Sequence, residues 1–287
     1  MKSTTKLKLH TLLGFRTFPD YPLGGLLEKV HSSKYGEPWS VVAHAGGGTQ
    51  YNSELAVPYT NSYQSIEDSI HDGKFLIELD LTLTSDNKLV AVHSWSEFKA
   101  RVGFNNIRIR QQHDDKAMSY KEFISCQGEY GFELLDIDNI NKIFADNPSL
   151  ILVVDKLKQL NELVNQFDFP ERVIVEVFDV KGFKEAKACG FNNIMLNIDI
   201  KNKRIVDWIK LNRIKAVTFN AKLVESNRRA FQNALKIYDS GVVSIAYTTN
   251  DDDFIQNHLG LAFSAFYTDH WSLNSQCSKV KGGNVTY

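Results

Sequence analysis

Short apolar runs alternate with segments of helical spacing along most of this chain, and that rhythm constrains its fold more than any other feature. The apolar runs fall at 41–43, 75–83, 89–92, 150–154, 173–178, 193–198, 216–219, 242–247 and 265–267. Several are nearly unbroken in Val, Ile, Leu and Phe, as strands covered on both faces must be. Helical patterns separate most of them, at 62–70, 136–145, 157–165, 181–188, 203–211, 223–238 and 252–257. Strand–helix alternation of this kind implies parallel strands joined by crossovers. If 89–92 belongs to an excursion after the second strand, eight units remain, and eight close a (β/α)8 TIM barrel. A chain of 287 residues is long enough for one such barrel. The expected organisation is a cover segment at 1–38, a barrel over 39–272 and a flexible tail at 273–287.

The totals narrow the function. A net charge of -1 argues against nucleic acid as the main partner. No apolar run approaches the roughly 20 residues needed to span a bilayer. The three cysteines, Cys126, Cys189 and Cys277, are scattered and fit free thiols in a reducing, cytoplasmic setting better than a disulfide frame. No secretory signal is evident at the N-terminus.

The stretch 75–95, FLIELDLTLTSDNKLVAVHSW, is the most informative. It reads as a strand, a turn at SDNK and a second short strand. Side chains alternate along a strand, so Ile77, Leu79, Leu81 and Leu83 share one face, and Glu78, Asp80, Thr82 and Thr84 the other. On an edge strand the polar face meets water. In a barrel there is no wet edge, and two inward carboxylates require a cation or hydrogen-bond donors. Upstream, SVVAHAGGG runs a strand into His44 and three glycines, where an imidazole lies beside backbone that a ligand can approach closely. His93 ends the second short strand. Polar residues recur at the ends of the expected barrel strands, including Asp155, Asn197, Asn220, Tyr247 and Asp269, with Glu176 inside another. Active sites of such barrels sit at that face. The long stretch 94–133 carries Arg101, Arg108, Arg110, His113 and Lys116; it either covers the mouth or presents a solvated charged face.

The order His44, Asn61–Ser62, Gly73, Glu78-x-Asp80, Thr84-x-Asp86, His93 resembles the glycerophosphodiester phosphodiesterases, relatives of the phosphatidylinositol-specific phospholipases C. The resemblance is specific over 41–95 and thinner as far as His270. It implies cleavage of a glycerol- or polyol-linked phosphodiester to a phosphomonoester and an alcohol. It further implies that Glu78, Asp80 and Asp155 hold a divalent cation, and that His44 and His93 act as acid and base. Oxygen ligands favour Mg²⁺ or Ca²⁺. Imidazole, with a reference pKa of ~6.5, is the side chain suited to proton transfer at neutral pH. Lys156 and Lys158 flank the place where the resemblance puts a lysine, each one position off, and both are candidate substrate contacts. Tyr247 falls at an aromatic lining of the alcohol pocket, and Asn61 is a candidate substrate contact. Three departures bear on the substrate. Ala45 replaces an arginine, Thr60 a glutamate, and Ser94 follows His93 where aspartate is common. Without the arginine, phosphate binding passes to the cation, the Gly46–Gly48 amides and the lysines. A non-catalytic phosphodiester-binding barrel and a metal-free lyase releasing a cyclic phosphate are the alternatives.

Overall fold

The computed structural model describes residues 25–52, 55–102 and 114–274. Residues 1–24 of the expected cover segment, Arg108, Arg110, His113, Cys277 and the tail from 275 lie outside the described residues.

Eight parallel strands close on themselves. In chain order they are β1 (Val41–Ala43), β2 (Leu76–Leu83), β3 (Ile151–Asp155), β4 (Val173–Val177), β5 (Ile194–Asn197), β6 (Ala216–Asn220), β7 (Val243–Tyr247) and β8 (Ala265–Thr268). Each pairs with its sequence neighbour, and β1 pairs with both β2 and β8, which completes the ring. The expected TIM barrel is the observed fold. The strand Leu89–Ala91 is the excursion: it runs antiparallel to the overhanging end of β2 and takes no place in the ring.

Side-chain alternation sorts the apolar residues into two shells. Ile77, Leu79 and Leu81 face the surrounding helices with Val154, Val175, Leu196, Val217 and Phe266. Val42, Leu76, Ile151, Val153, Ile174, Met195, Val243, Ile245 and Ala265 fill the interior, joined by Leu26 and Val30 of the helix Leu26–His31. The interior is therefore apolar toward the strand N-termini and leaves its polar residues for the other end. One expected helix differs. The pattern over 223–238 is observed as two helices, Ala221–Ser226 and Arg228–Asp239, because Asn227 leaves the helical conformation and its side chain caps the second.

The insertion after β2 has a small core of its own, with Val90, Val92, Trp95, Met118 and Phe123 buried together. Asp86 anchors it by accepting the Tyr120 N–H at 2.8 Å.

Candidate active site

The carboxylates come together by register. Asp80 and Asp155 are direct partners on the neighbouring strands β2 and β3, which in a sheet lie about 4.8 Å apart. Glu78 is two residues before Asp80 and points the same way. Oxygens of Glu78, Asp80 and Asp155 all lie within 4.8 Å of one another. Glu78 and Asp80 are each 2 % exposed, which removes the wet edge strand as an explanation.

Each carboxylate has a different environment. Glu78 accepts the Ala45 N–H at 2.7 Å; burial, then Asp80 and Asp155, push its carboxyl well above the usual range. Burial works against the Asp80 charge too, but Lys156, the Asn61 amide and His93 outweigh it and hold that carboxyl low. Asn61 serves Asp80 twice, donating to its Oδ2 at 3.0 Å and accepting its N–H at 3.0 Å. Asp155 is pushed up to about 8 by burial and by Asp80. Its Oδ1 is buried without a hydrogen-bond partner.

That orphaned oxygen tests whether a cation fits. A buried acceptor without a donor costs stability, and buried like charges repel. An all-oxygen donor set around such a group is the chemistry of a hard divalent cation. The residues present fit one. Lys156 supplies part of the compensation, with Nζ 3.3 Å from Asp80 Oδ1 and 3.5 Å from Asp155 Oδ2. By strand alternation the residue after Asp155 would point outward, but Lys156 has φ +56° and turns back.

The two histidines flank this cluster, each with a carboxylate on Nδ1. His44, directly after β1, meets Asp269 Oδ1 at 2.8 Å. His93 meets Glu97 Oε2 at 2.6 Å, in the first turn of the helix Trp95–Arg101. A carboxylate on Nδ1 fixes the proton there and leaves Nε2 as the working nitrogen. Between the imidazoles stands Tyr59, its ring centroid 4.7 Å from His44 and 5.3 Å from His93. Tyr59 OH lies 3.4 Å from Asp80 Oδ1.

The loop carrying His44 is tightly packed. Gly46 (φ +86°) and Gly47 (φ +96°) press on the helix Tyr63–His71, where a Cβ would come within 2.2 Å of Ser65 Oγ and 2.3 Å of Ser69 Oγ respectively. That approach aims the Ala45 N–H at Glu78. It also corrects one expectation: the Gly47 N–H is taken by His44 O and the Gly48 N–H by Asp269 O, so those amides are not phosphate donors.

A cavity of about 630 Å³ opens above the cluster. Its walls come from His44, Tyr59 and His93 on one side and from Lys222, Glu225 and Phe254 among others across it. Arg101 reaches it from the insertion. Tyr247 lies lower, among the interior side chains, with its hydroxyl 3.4 Å from Asn197 Oδ1. Lys158 is exposed and bonds to none of the three carboxylates. Glu176, buried deeper, has both oxygens satisfied, by Asn197 at 3.0 Å and Tyr267 at 2.8 Å.

Tyr59, Asp269 as the partner of His44, and Glu97 were not expected at the site. Glu97 had a signal in its spacing, four residues after His93. Asp269 was visible only as a polar strand end. Tyr59 had none.

Comparison with protein-family models finds no match, and neither does comparison with curated proteins. Comparison of the structure does. A glycerophosphodiester phosphodiesterase from Parabacteroides distasonis superposes with a TM-score of 0.60 at 18% identity, over 84% of this chain and 95% of that one. One from Thermotoga maritima gives 0.58 at 16% identity, over 83% and 97%. An Oleispira antarctica phosphodiesterase, solved in complex with the product sn-glycerol-3-phosphate, gives 0.59 at 14% identity, over 83% and 96%. The chain has their fold. Among the described residues, no helix is long and apolar enough to cross a membrane.

Proposed function

We propose that this chain is a glycerophosphodiester phosphodiesterase that uses a divalent cation and a pair of histidines. The observation that carries the reading is the convergence of three inward carboxylates within 4.8 Å, with two carboxylate-backed imidazoles on either side of Tyr59. The fold shared with the phosphodiesterases supports it.

Phosphodiester cleavage needs charge neutralisation, a base for the attacking oxygen and an acid for the leaving one. A Mg²⁺ or Ca²⁺ ion held by Glu78, Asp80 and Asp155 would supply the first, neutralising charge on the phosphate oxygens. The chain's own residues supply the rest. Asn61 orients Asp80. Lys156 adds positive charge at the edge of the cluster, within reach of an anionic substrate. Asp269 and Glu97 fix the tautomers of His44 and His93. One imidazole takes the proton from the attacking hydroxyl, and the other gives a proton to the departing alcohol. The cavity of about 630 Å³ has room for that alcohol.

The test is hydrolysis of a panel of glycerophosphodiesters. Chelator should abolish turnover, and His44→Ala and His93→Ala should each reduce it by about a hundredfold or more, the scale of acid–base groups. Full activity in either variant removes that histidine from the mechanism. Binding without turnover across the panel would leave a non-catalytic barrel.

A further inference from the structure

Tyr59 belongs to the same site, and the role assigned to it below rests on the phosphodiesterase reading. Its backbone sits at φ +61°, a conformation that bulky L-residues avoid. Asn61, two residues on, is also in the left-handed region at φ +48°. The loop is kept there by the Asn61 N–H on Ala45 O at 3.0 Å and by the Asn61 side chain on Asp80. Backbone strain held in place by such bonds collects at functional sites. The Tyr59 ring is not core filling. It is half-buried and forms the partition between the large cavity and a second pocket of about 60 Å³ beside His93.

What the strained loop achieves is placement. The ring is held between the two imidazoles, and the hydroxyl is aimed at the carboxylate cluster. A phosphate served by both histidines and by a cation on that cluster must lie against this hydroxyl. The bond from Tyr59 to Asp80, at 3.4 Å, is longer than the usual O–H···O limit of about 3.0 Å. The donor is therefore only weakly engaged and can turn to a better acceptor. Neighbouring donors are more firmly committed. Ala45 offers a methyl group, and its N–H is on Glu78. The Gly47 and Gly48 amides bond to backbone.

We propose that Tyr59 is the phosphate-gripping residue of this site: its hydroxyl donates to a non-bridging phosphate oxygen, while its ring, packed against both His44 and His93, sets the phosphate at its hydroxyl end, beside the carboxylate cluster. A hydrogen bond to a charged oxygen is among the stronger ones, and losing it leaves the anion one donor short.

The experiment compares the full-length wild type with Tyr59→Phe, which keeps the ring and deletes the hydroxyl. Calorimetry measures Ca²⁺ alone, then sn-glycerol 3-phosphate in saturating Ca²⁺, and kinetics follow glycerophosphodiester hydrolysis. Thermal melts monitor folding. Tyr59→Phe should melt and bind Ca²⁺ as the wild type does. It should bind sn-glycerol 3-phosphate about ten- to a hundredfold more weakly and lose a similar factor in kcat/KM. Wild-type phosphate affinity and turnover in Tyr59→Phe would overturn the proposal and leave the phosphodiesterase reading standing. So would a loss confined to Ca²⁺ affinity, which would make Tyr59 only a support for Asp80. A wild type that neither binds the monoester nor cleaves any diester removes the phosphodiesterase reading and this proposal with it.

Discussion

Replacing Asp155 with asparagine should make the metal-free protein more stable, although it removes a carboxyl group that Lys156 contacts. Burial and Asp80 raise the Asp155 carboxyl from 3.8 to about 8. A raised acid keeps its proton in the folded state after the unfolded chain has lost its own. The stability it contributes is complete below the unfolded pKa and falls as pH climbs toward the folded one. By neutral pH most of that window has been crossed, a loss of roughly 4 kcal/mol for this group taken alone. The side chain is only 15% exposed, so solvent screens little of it. Asparagine does not titrate and escapes the loss. Against this, Lys156 loses one of its two partners, but its side chain is 42% exposed, and such a pair is worth about 0–1 kcal/mol. Coupling to Asp80 takes a further share, leaving a net gain of about 1–3 kcal/mol in chelator at neutral pH. The gain should shrink as pH falls toward 3.8, where the unfolded chain takes up the proton that the folded carboxyl already holds. In saturating Ca²⁺ the order should reverse, because a ligand that binds only the folded state stabilises it and the variant binds less. Urea melts in EDTA and in Ca²⁺, at neutral and acidic pH, read all these signs. A variant less stable than wild type in EDTA, or one that Ca²⁺ stabilises as strongly as wild type, would be incompatible with a charge-strained Asp155 that a cation relieves.

Other outcomes come from the same geometry. Asp269→Asn presents an amide to His44 Nδ1, 2.8 Å away, and should cut kcat by about a hundredfold or more through the wrong tautomer; Ca²⁺ affinity, measured by calorimetry, should not move. Gly48→Ala would place a Cβ 2.4 Å from the Asp269 backbone oxygen and 2.3 Å from His270 Nδ1. Since the backbone cannot yield cheaply, the variant should lose about 1–3 kcal/mol in denaturant melts, together with activity, as Asp269 is pushed off His44.

The fold was legible because burial on both faces writes nearly continuous apolar strands, and those strands set the alternation. The faces of β2 were legible for the same reason: Ile77, Leu79 and Leu81 meet the helices, and Glu78 and Asp80 the interior. Where reading failed, the deciding interaction was not local. The pattern over 223–238 keeps its helical spacing through Asn227, and only that residue's capping side chain breaks the helix. The glycine amides after His44 looked available until Asp269, more than two hundred residues away, was seen to take one. Tyr59 reaches the site through a positive φ that no side-chain pattern records. Lys156 is the instructive case. Its place directly after Asp155 suggests the outer face, and a single left-handed backbone conformation returns it to the carboxylates.

The chemistry proposed for this barrel depends on a positive ion joining Glu78, Asp80 and Asp155. Anomalous diffraction from crystals grown with Mn²⁺, collected on either side of the metal's absorption edge, examines this directly. One strong peak is expected among those three side chains, lost in Asp80→Asn crystals grown in the same way. Ordered crystals with no peak there, or with the metal bound only elsewhere, would rule the shared ion out.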